Sequence, residues 1–353
     1  MRIIFVGPVP PLLGGIAQHS VRLVEALRSR GHEVTVISWR SQYPKLLHRG
    51  HQLDDKTPPM PEAQYMLRWW SVVSWWRTRR MAQDSDLLLF PYVTPFLAVP
   101  QWFISGGFKN AAAVVHNALP HERMPLERTL ARLALKRPSQ LITHGQGVAN
   151  DIRSLGTTGR IHVVPMPPTL EVRHSALPPR PPLRLLFFGF VRPYKGLGVA
   201  ISAMATLLDS GIDARLTVVG EFWEPVDGFR RQVVELGLED RVDIHAGYVT
   251  DDRLNEMLMA HHIVLAPYLE DTLSAVVPVA LAAGRPVVST LVRGVSEQLN
   301  DRMNGILVAP GDPEALARGV IKATDRLSQL AAGATESTPT WSAVAEAVVA
   351  PFE

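Results

Sequence analysis

Residues 2–38 read RIIFVGPVPPLLGGIAQHSVRLVEALRSRGHEVTVIS. Arg2–Val6 is an unbroken apolar run, the pattern of a strand covered on both faces in a parallel sheet. Gly7–Gly15 carries three prolines and a Gly-Gly pair, so it is a loop. Ile16, Ser20, Leu23, Val24 and Leu27 then recur at helical spacing and share one face. Gly31 ends that helix, and Glu33–Ser38 reads as a second strand. A strand, a glycine-bearing loop, a helix and a strand in this order open a doubly wound α/β sheet, whose ligands lie at the carboxyl ends of the strands.

The pattern continues outward from this stretch. Strand-like runs follow at Asp86–Phe90, Ala112–His116, Gln140–Thr143 and Ile161–Val164, with helical stretches at Leu126–Lys136 and Val148–Leu155. Seven prolines then fall between Pro165 and Pro182. Proline-dense chain is extended and semi-rigid, as a linker is. Beyond it the alternation restarts. Strands are expected at Leu183–Phe188, Ala214–Val219, Val242–Ala246, Ile263–Ala266 and Pro286–Ser289. Helices are expected at Gly196–Ser210, Phe229–Leu236, Asp252–Ala260 and Ala275–Ala283. The expected architecture is α/β: two Rossmann-like doubly wound domains facing across a cleft. The boundaries are 1–168 for an acceptor-binding domain, 169–182 for the linker and 183–330 for a nucleotide-sugar-binding domain. A final segment, 331–353, carries a helix around Trp341–Val349 that is expected to return to the first domain.

Composition narrows the function classes. The chain has 353 residues, 46% hydrophobic and 20% charged, which excludes disordered and collagen-like classes. A net charge of +3 over this length gives no broad basic face for nucleic acid. The absence of cysteine excludes disulfides and zinc–thiolate sites. Only Ile3–Val6 follows Met1 and Arg2 before prolines intervene, so no secretory signal is read, and no run is long enough to span a bilayer. The expectation is a cytoplasmic protein, peripheral to the inner face of a membrane at most. Tyr65–Arg80 (YMLRWWSVVSWWRTRR) is the segment for such contact. As a single helix it would place Met66, Trp69, Trp70, Val73 and Trp76 on one face, flanked by arginines, a composition suited either to an anionic membrane or to ordinary packing.

Five segments in order resemble the GT-B glycosyltransferases, and among them the large retaining family 4. They are Val6–Ser38, Val114–Glu122 (VVHNALPHE), Phe187–Gly196 (FFGFVRPYKG), Leu265–Thr290 (LAPYLEDTLSAVVPVALAAGRPVVST) and Val292–Pro313. The resemblance runs from residue 1 to about 325. It departs from the family in two places. The second of two glutamates spaced eight residues apart is replaced, with Asp271 and Val279 at the two positions. The arginine usual five residues before the Lys-Gly is also absent: Phe190 holds its place, and Arg192 stands closer to Lys195.

The motifs carry chemistry suited to that reading. Lys195 and Arg192 precede a helix start, and a departing diphosphate needs fixed cations and N–H donors. Asp271, Thr272, Ser274 and Ala275 form a strand-to-helix loop that offers either phosphate contacts or a simple helix cap. The resemblance implies that the Gly14–Gly15 loop faces the donor phosphate or sugar, and that His116 contacts the donor sugar. Asn117, His121 and Glu122 are candidates for the acceptor side. Glu221 and Phe222 are candidates for the nucleotide, or a plain loop. Glu297 could accept a ribose hydroxyl or complete a capping box. The adjacent His261 and His262 point in different directions and are read as structural.

The resemblance implies a retaining glycosyltransferase that moves a sugar from a nucleotide-diphosphate sugar to a polysaccharide, glycolipid or glycoside. The leaving phosphate would accept the acceptor's proton, so no pair of catalytic carboxylates is needed, unlike glycoside hydrolysis. Neither a metal nor another cofactor is expected. Two other readings stay open: a degenerate, non-catalytic GT-B protein, motivated by Val279 and Phe190, and a GT-B sugar-nucleotide epimerase.

Overall fold

The computed structural model describes residues 1–12, 15–42, 57–119, 126–270 and 273–353. Among these, thirteen strands form two sheets, all parallel. The first sheet holds β1 (Arg2–Val6), β2 (Glu33–Ser41), β3 (Gln64–Arg68), β4 (Leu87–Tyr92), β5 (Ala111–Val115), β6 (Gln140–Thr143) and β7 (Arg160–Val163), in the order 3-2-1-4-5-6-7. The second holds β8 (Leu183–Phe188), β9 (Ala214–Gly220), β10 (Val242–Ala246), β11 (Ile263–Ala266), β12 (Val287–Thr290) and β13 (Gly305–Val308), in the order 10-9-8-11-12-13. Each order reverses beside its first strand, the mark of a doubly wound fold. The expected α/β class, with two Rossmann-like units, is what the chain adopts.

The apolar runs form strands because both faces are covered. Along β8, Leu183, Leu185 and Phe187 enter one core cluster while Leu186 and Phe188 enter another. Alternate side chains of a strand point to opposite faces, so one run feeds two cores. In the first unit, Ile3 and Phe5 of β1 pack with Leu23, Val24 and Leu27 of helix Gly15–Ser29.

The chain divides at 165/166 and again at 339/340: residues 1–165 and 340–353 form one unit and residues 166–339 the other. Val344, Ala345, Val348 and Val349 of the terminal helix Trp341–Val349 complete the core beneath β1. Residues 331–339, expected with the terminal segment, belong to the second unit.

The proline-dense stretch is fastened to the second unit. Arg285, buried, donates from Nη1 to the Ser175 carbonyl at 3.0 Å and from Nη2 to Ser175 Oγ at 2.6 Å. His262 Nε2 donates to the Pro178 carbonyl at 3.0 Å, and its Nδ1 accepts the Arg184 N–H. His261 bridges the Met257 carbonyl and Thr217 Oγ1. Both adjacent histidines are therefore tied into the framework.

Tyr65–Arg80 is not one helix. Its first residues form β3 at the sheet edge, pairing with β2 and satisfying backbone groups that an open edge leaves unpaired. The helix begins at Val72, where Ser71 Oγ accepts the Ser74 N–H at 3.3 Å. This shifts the helical phase. Trp75 is buried and donates Nε1–H to the Arg68 carbonyl at 2.9 Å, while Trp70, Val72, Val73 and Trp76 are exposed. The single face of Met66, Trp69, Trp70, Val73 and Trp76 does not form. No helix among the described residues is long and apolar enough to cross a membrane.

Candidate functional site

In the second unit the loops leaving β8 and β9 run side by side. The Val191 N–H donates to the Glu221 carbonyl at 2.8 Å, and the Trp223 N–H to the Val191 carbonyl at 3.0 Å. Two glycines allow this approach. Gly220 sits at φ +150°, and a methyl group there would run into the Gly189 carbonyl. Gly196, at φ +71°, follows the turn Pro193–Lys195 and leaves no room for a side chain beside the Pro267 carbonyl. The turn then feeds helix Leu197–Asp209.

Lys195 is held in that turn at 8% exposure. Its Nζ lies 5.6 Å from the centre of the Tyr268 ring, and no acidic side chain among the described residues pairs with it. Burial, and then the neighbouring Arg192 charge, lower its pKa from 10.5 to about 8. A buried ammonium without a counter-charge is costly, and its cost falls when an anion arrives. Arg192 is close enough to Lys195 for its charge to act on it. Its guanidinium lies 3.7 Å from the centre of the Trp223 ring. Phe190 stands 6.3 Å from Trp223, edge to face, and both aromatic rings are exposed.

The loop before helix Val276–Ala282 is clamped. The Ser274 N–H donates to Gln298 Oε1 at 2.7 Å, and Gln298 Nε2 donates to the Ser274 carbonyl at 2.8 Å. Ser274 Oγ bonds the Tyr268 hydroxyl and accepts the Val276 N–H. The Ser274 N–H expected for phosphate is thus already in use, because Gln298 supplies the acceptor that the loop needs. Ala275 remains at the helix start. Asp271 and Thr272 lie outside the described residues.

Other expected positions divide. Phe222 packs on Phe229 and, partly buried, on the core of the second unit. Glu221 is exposed beside it. Glu297 ends the short helix Arg293–Ser296 rather than starting one, which excludes the capping-box alternative. The aromatic group presented at this edge is Trp223, which the sequence reading passed over for its neighbours. The signal was its place three residues beyond β9.

In the first unit, His116 follows β5, His144 follows β6, and His19 lies on helix Gly15–Ser29. The three rings meet: His19 and His116 centroids are 4.4 Å apart, edge to face, and His19 and His144 are 4.9 Å apart. His19 Nε2 and His144 Nε2 share a hydrogen bond of 2.8 Å. His144 Nδ1 is 2.9 Å from the Val164 carbonyl, so it carries the hydrogen there. Trp341 of the terminal helix closes on His19 at 4.7 Å. Burial pushes the pKa of His116 down to about 3, of His144 down to about 4, and of His19 well below its ordinary value. His116 Nε2 is buried with no hydrogen-bond partner among the described residues. His19 and His144 were not singled out from the sequence, although His144 holds the same place after its strand that His116 holds after its own. Asn117 is exposed, and Gly15 begins the first helix with open space around its Cα. Gly14, His121 and Glu122 lie outside the described residues.

Two parallel-sheet α/β units in succession are the fold of the GT-B class. Residues 13–171 match Glycosyltransferase Family 4, and residues 182–326 match Glycosyl transferases group 1. Both halves of the chain thus match glycosyltransferase domain models, in that order. It is 29% identical over 227 residues to a 2-deoxystreptamine glucosyltransferase of Streptomyces kanamyceticus, covering 59% of this chain and 58% of that one. Its fold is that of a sucrose-phosphate synthase from Thermosynechococcus elongatus (TM-score 0.75, 17% identity, 100% and 98% of the two chains). The Anabaena protein Alr3699/HepE, solved in complex with UDP-glucose, shares the fold as well (TM-score 0.72, 17% identity, 100% and 99%). The first curated relatives match over 33% to 58% of their own lengths.

Proposed function

We propose that the chain is a retaining glycosyltransferase that takes a sugar from a nucleotide-diphosphate sugar and passes it to a carbohydrate or glycolipid hydroxyl. The observation that carries this reading is Lys195, a buried cation without an anionic partner among the described residues, beyond the carboxyl end of β8. In the reaction the bond from the anomeric carbon to the diphosphate oxygen breaks, and charge gathers on that oxygen. Lys195 stabilises it, with the Ala275 N–H, Asp271 and Thr272 as further members of the donor loop. The acceptor hydroxyl attacks on the face that the diphosphate leaves, and its proton passes to the leaving phosphate oxygen. No metal or other cofactor is assigned to this step.

In the first unit the proposal assigns the neutral His116 and the Gly14–Gly15 loop to the donor sugar and phosphate. Asn117, His121 and Glu122 are assigned to the acceptor. Glu221 and Glu297 remain candidates for the ribose. Similarity to a protein solved with UDP-glucose puts a uridine nucleotide first among donors to test. The non-catalytic reading is not favoured, since the curated relatives are named glycosyltransferases.

A thermal-shift panel of UDP, GDP, ADP, dTDP and their sugars tests the donor site, because a ligand that binds only the folded chain raises its melting temperature. A rise with one base that vanishes in Lys195→Ala is the expected result. No rise with any of them overturns the reading.

A second partner is favoured by one specific feature. Trp70, Val72, Val73 and Trp76 are exposed together, with Arg68 over Trp70 and Arg80 over Trp76 at 5.9 and 5.4 Å. We assign this face to the surface of an anionic membrane, at its cytoplasmic leaflet. Co-sedimentation with anionic vesicles, lost in a Val73→Ser/Trp76→Ser variant, is expected. Equal sedimentation of both proteins would remove the assignment.

A further inference from the structure

His19, His116 and His144 pose a bonding problem that no described group of the chain solves. His144 Nδ1 faces a carbonyl oxygen, which only accepts, so the hydrogen sits on Nδ1 and Nε2 is a bare lone pair. The hydrogen in the 2.8 Å contact between Nε2 atoms must therefore come from His19. That satisfies two of the rings and leaves His116 Nε2 buried with nothing to bond. Unpaired buried nitrogens of this kind are rare in folded proteins and call for a ligand or an explanation.

We propose that His19, His116 and His144 form a binding site for a first-row divalent cation of the zinc type. One ligand nitrogen from each ring lies within 4.8 Å of the others. Three imidazoles with one open position are an established donor set for Zn²⁺, and nitrogen ligands in this number suit Zn²⁺, Co²⁺, Ni²⁺ and Cu²⁺ rather than Mg²⁺ or Ca²⁺. Two supporting features are already in place. The Val164 carbonyl holds the His144 ring through its far nitrogen, the outer contact that orients metal-bound histidines. Trp341 packs against His19 and closes one side of the cluster.

The bookkeeping balances without proton release. His144 and His116 offer lone pairs on Nε2, and His19 moves its hydrogen from Nε2 to Nδ1, remaining neutral. At bond lengths of ~2.0 Å the nitrogens of a tetrahedral site stand ~3.3 Å apart. The His19–His144 pair must then open by about half an ångström, and His116 must close in. The fourth position is left for water or a ligand oxygen. The inference does not rest on the transfer reaction: a metal on His116 Nε2 takes the place of the sugar contact proposed for that nitrogen, and the bound metal is assigned no step in the transfer.

The test uses the full chain, stripped with chelator and loaded with Co²⁺ and, separately, Zn²⁺. Expected is one equivalent retained through gel filtration, with the intense visible absorption of tetrahedral Co²⁺. Both features are lost in His19→Ala and in His144→Ala, and both are kept in His245→Ala, a change at an exposed histidine paired with Asp243. No retained metal, or equal retention in all four proteins, overturns the site. Should the alanine variants fail to fold, X-ray absorption of the Zn²⁺-loaded wild type decides. Three imidazole nitrogens at ~2.0 Å support the site, and oxygen-dominated coordination refutes it.

Discussion

Two sets of buried nitrogen bases sit at the carboxyl edges of the two sheets, and burial acts on them with different results. Lys195 in the second unit keeps most of its charge at neutral pH, because a pKa of about 8 still lies above 7. His116 and His144 of the first unit lose theirs altogether, at about 3 and about 4. The starting points explain the contrast: lysine falls from 10.5 and histidine from 6.5. The lysine edge therefore attracts anions. The histidine edge offers lone pairs and N–H groups to neutral ligands or to a metal.

The largest expected effect tests the neutral edge. A base whose pKa is lowered on folding binds fewer protons in the folded chain than in the unfolded one between the two values. Stability then rises with pH through that window, is complete above about 6.5, and is lost as pH falls toward 3–4. Each histidine contributes up to ~1.4 kcal/mol per pH unit. Between pH 7 and pH 5.5 chemical denaturation should show a loss of which these three histidines supply ~4 kcal/mol, and the loss should be smaller by ~1 kcal/mol in a folded His19→Gln variant. An equal loss in that variant would break the contrast between the two edges.

The next effect tests the charged edge. Lys195→Ala should lower turnover by ~10²-fold, the scale of losing one group that stabilises developing charge. Near-normal turnover would end the assignment. In the wild type, affinity for the nucleotide diphosphate should weaken as pH rises through about 8, where the ammonium is lost. Lys195→Met should show no such pH dependence. It should also be more stable than the wild type when ligand-free, by ~1–3 kcal/mol, since an unpaired buried charge has been replaced by a hydrophobe. That advantage should shrink from pH 8 toward 10.5, as the wild-type lysine sheds its proton. A destabilised Lys195→Met with unchanged nucleotide affinity would mean the lysine serves packing alone.

The contrast between the edges was only half legible in the sequence. Continuous apolar runs such as Leu183–Phe188 and Ile263–Ala266 reveal their strands because a strand buried on both faces needs no alternation. Gln64–Arg68 does not, since its polar and aromatic mixture also suits a helix, and pairing with the β2 edge decided its form. Lys195 was visible because it stands just before a helix start, within a segment that resembles the family's. The histidine cluster was not. Its members are 97 and 28 residues apart along the chain, and only the adjacency of β5 and β6 beside the first helix brings them together. Ser274 shows the same limit, since the glutamine that engages its N–H lies 24 residues away.

Trp223 offers the smallest test and the finest one. The charged edge has a second cation, Arg192, but it rests on an aromatic face rather than standing free. A cation–π contact at a partly exposed site contributes ~0.5–1 kcal/mol, so it orders the guanidinium without neutralising it. If that ordering aims Arg192 at the diphosphate, Trp223→Ala should weaken nucleotide affinity by ~3-fold while turnover at saturation stays near normal. Trp223→Phe should retain most of the affinity. In an Arg192→Ala background the Trp223→Ala change should add little, because the group it orders is gone. Titration calorimetry on the four proteins of this cycle measures the coupling directly. Additive losses would assign Trp223 its own contact with the nucleotide, and no loss in either background would leave Lys195 as the working cation of this edge.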